Sequence, residues 1–190
     1  MNWNPHYDLA GKHAFLSPSN PSWHNWSDEK MLERRETFGA KERGTELHAH
    51  AADDILFGEK FGVKRPKSKT TYNMYVNDAI GYRMKPEQPL YYSDICFGTA
   101  DAISWPSNGV LRIHDFKSGT TPAHMEQLLT YAALFCLEYR FDPSELTIIL
   151  RIYQNNEILE HRPTGDEVLA YMEEIIHRTD VVNEEENPEV

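Results

Sequence analysis

The chain has 190 residues, of which 40% are apolar and 12% aromatic, and its formal net charge at pH 7 is −11. This length and composition are typical of one globular domain with a substantial core. No stretch approaches the roughly 18 consecutive apolar residues of a membrane span, and no charged, then apolar, leader opens the chain, so we expect a cytoplasmic protein without a membrane partner. Its two cysteines, Cys96 and Cys136, exclude a disulfide framework and a four-cysteine iron–sulfur cluster, and we expect both to be buried free thiols.

The first 26 residues predict an irregular arm, because they contain three tryptophans and three prolines without a sustained helical or strand period. A helix is expected to begin after Ser27, where two acidic residues follow a capping side chain. A second helix is predicted from about Gly44 to Phe57. A third, capped by Ser68, is predicted from apolar residues at helical spacing and ends before Pro86.

The pattern then changes to that of strands. Residues 90–93, 95–104 and 110–117 are rich in Ile, Val, Tyr and Phe, with turn residues around Asn108 and Gly109. We therefore expect a meander of three antiparallel strands in the middle of the chain.

The last part of the domain predicts two more helices and two more strands. A deeply buried helix is expected from Thr121 to about Tyr139, followed by an apolar strand from Leu146 to Tyr153 and a short returning strand from Ile158 to His161. A capping box at Thr164 starts a final helix that is expected to end near His177. Residues 180–190 are expected to form a disordered acidic tail, which leaves a single domain over 27–179.

Two of the predicted strands end in chemically informative residues. Asp115 and Lys117 project from one face at the end of the third strand, and Asp101 lies on the strand before it. Two carboxylates on neighbouring apolar strands, with no arginine adjacent in sequence, favour metal ligands over residues that only hold loops. A metal with a nearby lysine is typical of enzymes that direct water at a phosphate.

The hairpin between these strands makes the interpretation testable. Asp101 lies opposite Asp115 only if the numbers of paired residues sum to 216. A two-residue Asn108-Gly109 turn would instead pair Asp101 with Phe116 and put the two carboxylates on opposite faces. We therefore predict a three-residue loop of Ser107, Asn108 and Gly109, or a bulge.

Four motifs in chain order resemble the PD-(D/E)XK nuclease superfamily, and within it the RecB-like exonucleases, including phage and CRISPR-associated members. The resemblance spans about residues 15–153. It implies an α/β fold with a restriction-endonuclease-like αβββαβ core, in which helices flank a mixed central sheet. The motifs are Gly44–Ala51, Gly98–Ile103, Ile113–Gly119 and the glutamine-xxx-tyrosine pair of Gln127 and Tyr131.

The resemblance also implies the metal ligands. His48, Asp101, Asp115 and the backbone carbonyl of Phe116 would bind one or two Mg²⁺ or Mn²⁺ ions, since hard oxygen ligands suit both ions and an imidazole favours tolerance of Mn²⁺. Taken alone, His48 is better explained as a core histidine packed between Ala51, Ala52 and Ile55, and only the other motifs favour a ligand.

Three further residues complete the expected catalytic set. Lys117 would orient the attacking water, stabilise the developing charge or act as a general base, and the sequence leaves these roles open. Gln127 and Tyr131 are four residues apart, so they share one helix face from which they could hold Lys117, the water or a substrate phosphate.

The expected function is a Mg²⁺- or Mn²⁺-dependent DNA exonuclease that acts on ends or single strands during phage or bacterial replication, recombination or end processing. It would work in the bacterial or infected-host cytosol, and any helicase or recombination partner would be a separate protein. Two alternatives stay open: a structure-specific endonuclease with the same site, and an inactive module that binds DNA ends or another protein.

The net charge of −11 favours the inactive module, because nonspecific affinity for DNA depends on lysine and arginine side chains that neutralise phosphates. Two basic clusters offset the acidity locally and could guide a strand. Each could also be an ordinary solvated surface. The clusters are Arg34, Arg35, Lys41 and Arg43, and Lys60, Lys64, Arg65, Lys67 and Lys69.

Overall fold

A five-stranded sheet forms the centre of the protein in a computed structural model that describes residues 2–36, 46–58, 60, 70–105, 109–119 and 122–186. The spatial order of the strands follows the chain, with β3 and β4 parallel and all other neighbours antiparallel. This confirms the α/β class and the mixed central sheet. The strands are β1 (Lys85–Ser93), β2 (Cys96–Ser104), β3 (Val110–Phe116), β4 (Thr147–Gln154) and β5 (Glu157–His161).

Helices lie on both faces of the sheet, and the described residues contain five α-helices. Helices α4 and α5 pack together over one face, where the larger core lies, and α2 and α3 pack over the other face. Strand β3 serves both cores because its side chains alternate: Leu111 and Ile113 enter the first, and Phe116 enters the second. The helices are α1 (Asp28–Glu36), α2 (Glu46–Phe57), α3 (Thr71–Gly81), α4 (Glu126–Tyr139) and α5 (Gly165–Glu186). Within the described ranges, no helix combines the length and apolar character needed to cross a membrane.

The amino-terminal arm packs onto the larger core and contains two short 3₁₀ helices, Tyr7–Leu9 and Pro21–Asn25. Leu16 and Trp23 are buried in that core, and the Trp23 indole donates a hydrogen bond to the Ser17 carbonyl at 3.1 Å. The aromatic residues of the arm therefore fix it to the domain.

The meander of three strands is confirmed, although β1 begins at Lys85, earlier than the predicted residue 90. Two prolines, Pro86 and Pro89, lie inside this strand. They are tolerated because β1 is an edge strand, where a missing backbone N–H leaves no neighbour unpaired.

The register between β2 and β3 agrees with the prediction. The pairs Ala102↔His114, Ile103↔Ile113 and Ser104↔Arg112 all have numbers that sum to 216. Residues 106–108 of the predicted turn lie outside the described residues.

The predicted start of α4 at Thr121 is wrong, since the helix begins at Glu126. The Gln154 side chain accepts a hydrogen bond from the Ala123 N–H at 3.2 Å and donates one to the Gly119 carbonyl at 2.6 Å. These bonds to β4 hold the connection in a non-helical path that propensity alone does not predict.

Two other helix ends differ from the predictions. The cap of α3 is Thr70, whose hydroxyl accepts from the Asn73 N–H at 3.3 Å, while Ser68 lies outside the described residues. Helix α5 continues past His177 to Glu186, so residues 180–186 are helical rather than a disordered tail, and residues 187–190 of the predicted tail lie outside the described residues.

The extension of α5 has a packing cause. Val182 is fully buried, and Arg178 reaches Asp28 of α1 at 2.5 Å. Contacts with α1 therefore stabilise the extension of α5 into the acidic segment. At the other end, the Glu167 N–H donates to Thr164 Oγ1 at 3.2 Å, as the capping box requires, but the Glu167 carboxylate pairs with His161.

Candidate metal centre

The predicted carboxylates meet where the regular pairing of β2 and β3 ends. The last regular pair is Ala102↔His114, and the same register continued by one residue places Asp101 opposite Asp115. Residues opposite each other on antiparallel strands point to the same face. Beyond this point the Phe116 N–H donates to Asp101 Oδ2 at 2.9 Å, so a side-chain carboxylate replaces a backbone acceptor.

Asp115 is buried, and its two carboxylate oxygens have different surroundings. Oδ1 accepts a hydrogen bond from Gln127 Nε2 at 3.0 Å and lies 3.1 Å from Lys117 Nζ. Lys117 Nζ also donates to Gln127 Oε1 at 2.8 Å, which closes a triangle of three side chains. Oδ2 is buried and has no hydrogen-bond partner among the described residues.

Burial is the main cause of an altered acidity at Asp115. Desolvation and the nearby Asp101 charge raise the pKa of Asp115 to about 7, against the opposing effect of Lys117. The site therefore holds a carboxylate that is costly to ionise unless a further positive charge lies next to it.

His48 reaches the same site from α2, on the other side of the strands. Its Nδ1 lies 3.3 Å from Asp101 Oδ2, and its ring packs against Phe116 at 5.6 Å between centroids. Ala51 and Ile55, three and seven residues further along the helix, are buried in the smaller core and anchor this face of α2. The hydrogen bond with Asp101 raises the pKa of His48.

Glu87 is a residue of this site that the sequence did not reveal. It lies on β1, and the β1–β2 register places it opposite Asp101. One donor atom each from His48, Glu87 and Asp101 lie within 4.8 Å of one another. The Glu87 side chain is exposed, but partial desolvation by its neighbours, followed by the Asp101 charge, raises its pKa. We expected Asp115 to lie beside His48 and Asp101. Among the described residues, the third member of this group of donor atoms is Glu87 instead.

The signal for Glu87 was present but weak. An acidic residue two positions before Pro89 and one after Pro86 did not suggest a strand, and only the pairing of that strand with β2 brings its carboxylate to Asp101. Its backbone is also left-handed, with a φ of 47°.

Gln127 and Tyr131 both lie on the buried face of α4, but they contact different groups. Gln127 joins Asp115 to Lys117. The Tyr131 hydroxyl donates to the Thr99 carbonyl at 2.6 Å and lies 3.2 Å from the Ser19 hydroxyl. Tyr131 therefore holds the β2 backbone two residues before Asp101.

Parts of two predicted features lie outside the described residues. These are Gly44 and Thr45 of the first motif, and most of the basic clusters, namely Lys41, Arg43, Lys64, Arg65, Lys67 and Lys69. The backbone carbonyl of Phe116 stays a predicted ligand. Both cysteines are buried and free, as predicted, and burial raises the pKa of each thiol to about 12.

Comparison with known proteins adds no assignment. No family model and no curated protein matches the chain. A search of solved structures returns matches that include the "Crystal structure of SSO0001", at 13% sequence identity, 79% coverage of this chain, 83% coverage of that chain and a TM-score of 0.29. A TM-score this low supports no conclusion about fold family or activity.

Proposed function

We propose that this protein is a Mg²⁺- or Mn²⁺-dependent nuclease with a restriction-endonuclease-like core, and that it acts as a RecB-like exonuclease on DNA ends or single strands. The observation that carries the proposal is the buried Oδ2 of Asp115, which finds no hydrogen-bond partner in the part of the chain that the structure describes. A buried polar atom without a partner costs about 1–3 kcal/mol. A divalent cation next to Asp101 would supply the missing partner and offset this cost.

The donor set fits such a cation. Asp101 and Asp115 offer carboxylate oxygens, His48 offers an imidazole nitrogen, and the Phe116 carbonyl is the proposed additional oxygen. When bound, the metal would supply an activated water and positive charge at the phosphate.

Lys117 is placed to act on the reacting groups. Its ammonium has three N–H donors, of which one is used by Gln127 Oε1 and a second faces Asp115 Oδ1. The remaining donor is available for a water or a phosphate oxygen. The chain thus holds a fixed positive charge next to the carboxylates, where it would orient the nucleophile or stabilise developing charge.

The rest of the proposal follows from the element order and motif spacing. A helix, three antiparallel strands, a helix and a parallel strand support the restriction-endonuclease-like core, and Gln127 with Tyr131 supports the RecB-like branch. A helicase or recombination partner and a bacterial or phage-infected cytosol remain part of this proposal.

A nuclease assay tests the function. Linear DNA labelled at the 3′ or the 5′ end, and a closed circle, are incubated with Mg²⁺ or Mn²⁺. We expect metal-dependent loss of label from linear DNA. The rate of hydrolysis should fall by at least about a thousandfold in Asp115→Asn. It should not change in Asp180→Asn, which removes one charge on the exposed side of α5. Cleavage of the circle would show an endonuclease. Binding of DNA without hydrolysis by the wild type would show the inactive module.

A further inference from the structure

We propose that Glu87, Asp101 and His48 form a second divalent-cation site beside that of Asp115, with Asp101 shared by both. The inference rests on the proposed function for the Asp115 side and adds a ligand, Glu87, that comes from the edge strand β1. It also moves His48 from the ion at Asp115 to the neighbouring ion.

The distances suit a single ion. Oxygen and nitrogen ligands of Mg²⁺ or Mn²⁺ lie about 2.0–2.4 Å from the metal, so ligands on opposite sides of one ion are about 4.0–4.8 Å apart. The donor atoms of His48, Glu87 and Asp101 all lie within 4.8 Å of one another, so no pair is farther apart than two ligands on opposite sides of one ion.

Asp115 is not part of this close set. Its Oδ1 contacts Gln127 and Lys117, on the side of α4, whereas His48 approaches Asp101 from α2. Asp101 lies between the two groups, since its Oδ2 accepts from Phe116 and lies next to His48. The arrangement gives each neighbouring ion a carboxylate of its own and leaves Asp101 for both.

The carboxylate charges of Asp101 and Glu87 also favour binding of a second cation. Lys117 balances Asp115 at 3.1 Å, but Asp101 and Glu87 face each other across the β1–β2 pair with His48 as the ionisable partner. Two carboxylates and a neutral imidazole are a common donor set for a divalent ion, and a second ion would remove the repulsion between the carboxylates.

The fold holds Glu87 in place. Gln88, the next residue, is fully buried, and its side-chain amide donates to the carbonyls of Asn4 at 2.8 Å and Pro89 at 2.6 Å. These bonds tie β1 to the amino-terminal arm immediately after the left-handed residue. Although β1 is an edge strand, these hydrogen bonds fix the backbone directly after Glu87.

Titration of the full chain with Mn²⁺, followed by the EPR signal of the free ion, tests the proposal. We expect the wild type to bind two Mn²⁺ ions. Glu87→Gln and His48→Ala should each weaken one of them, and the same one, by at least about tenfold. Asp115→Asn should weaken the other, and Asp101→Asn should weaken both.

Three further variants separate ligation from other effects. Glu87→Asp keeps the charge but shortens the side chain, so a ligand role predicts weakened binding and a purely electrostatic role predicts none. Glu87→Gly suits a left-handed backbone and should fold at least as well as the wild type while it loses the ligand. Glu173→Gln makes the same charge change at an exposed position of α5 and should bind as the wild type does.

The outcomes distinguish this inference from the proposed function. If all Glu87 variants bind Mn²⁺ like the wild type while Asp115→Asn loses an ion, the second site is wrong and the proposed function stands. A wild type that binds a single ion, sensitive to Asp115 but not to Glu87, leads to the same conclusion. If the wild type binds no Mn²⁺, the proposed function fails as well.

Discussion

Among single residues, Asp115 combines a position in the candidate metal centre with a cost in stability. Its folded pKa of about 7 lies above the ordinary value of 3.8, so its contribution to stability is fully present below about pH 4. That contribution is lost as the pH rises through about 7, because the folded protein must then hold a charged carboxylate with an unpartnered oxygen.

Asp115→Asn should therefore stabilise the metal-free protein at alkaline pH while it abolishes hydrolysis. In EDTA near pH 8.5 we expect a gain of about 1 kcal/mol or more, which corresponds to about 2–4 °C in Tm for a chain of this size. Near pH 4 the gain should disappear, since wild-type Asp115 is then neutral. Thermal unfolding at both pH values checks this, and equal effects at both would contradict it.

The site residues differ in how far the sequence could predict them. Asp101 and Asp115 lie on strands whose pattern and register are visible in the sequence, and Lys117 directly follows one of these strands. The structure brings the three residues together with Gln127. Glu87 could not be predicted in the same way. Its proximity to Asp101 depends on the pairing of a proline-containing edge strand and on a left-handed backbone, neither of which is encoded locally.

At the element scale, β2 is confined between the arm and α4 at Gly98. A Cβ atom there would come within 2.8 Å of Pro18 Cδ and 3.2 Å of Tyr131 Cε1. Tyr131 in turn holds the Thr99 carbonyl, next to the strand residues that lead to Asp101. Glycine is therefore required here for close approach and not for an unusual backbone angle.

Gly98→Ala should displace the arm or the tyrosine ring, with an expected cost of about 1–3 kcal/mol of stability and reduced hydrolysis. Gly81→Ala is the matched control, because a Cβ at the end of α3 meets no atom of the described residues within 4 Å. Denaturant unfolding of both variants checks the expectation. If the two variants are equally stable, the arm can move away from the new methyl group without loss of stability, which would contradict the expectation.

The acidic end of α5 gives a second test at this scale. Val182 is fully buried in the larger core, although we expected a disordered tail from residue 180. Val182→Ala should cost about 1–3 kcal/mol, whereas Val181→Ala, at a half-buried position one residue earlier, should cost less. Equal and negligible effects in chemical denaturation would support the disordered tail instead.

The element boundaries that the sequence missed share a cause. Helix α4 starts late because Gln154 of β4 binds the backbone before it, and α5 ends late because α1 packs against it. Both causes are contacts between residues at least 31 positions apart, so neither could be recognised from local propensity or apolar spacing.

At the scale of the whole molecule, the net charge of −11 opposes DNA binding unless a cation intervenes. We expect the affinity for single-stranded DNA to be at least about tenfold higher in Ca²⁺ than in EDTA, because a bound cation removes the repulsion between phosphate and carboxylates. Fluorescence anisotropy of labelled single-stranded DNA measures the affinity in Ca²⁺ and in EDTA. The double variant Asp101→Asn with Asp115→Asn should show no such cation effect, and wild-type binding of equal strength in EDTA would contradict the expectation.

The α/β class could be predicted from the sequence because alternating helical and strand periods recur along the chain, and the structure confirms the mixed sheet. The placement of the amino-terminal arm could not be predicted from the sequence. Its residues show no period, and they pack by individual aromatic contacts such as Trp3 against Tyr139, which only the folded chain brings together.

Helix α4 is buried on every side from Gln127 to Cys136. Its amide hydrogens should therefore be among the slowest in the protein to exchange with solvent, because they open only when the core opens. Gln127 lies in the first turn of this helix and fixes both Asp115 and Lys117. The part of the candidate metal centre that contains Asp115 and Lys117 should therefore keep its geometry up to the cooperative unfolding transition and lose it in that single step.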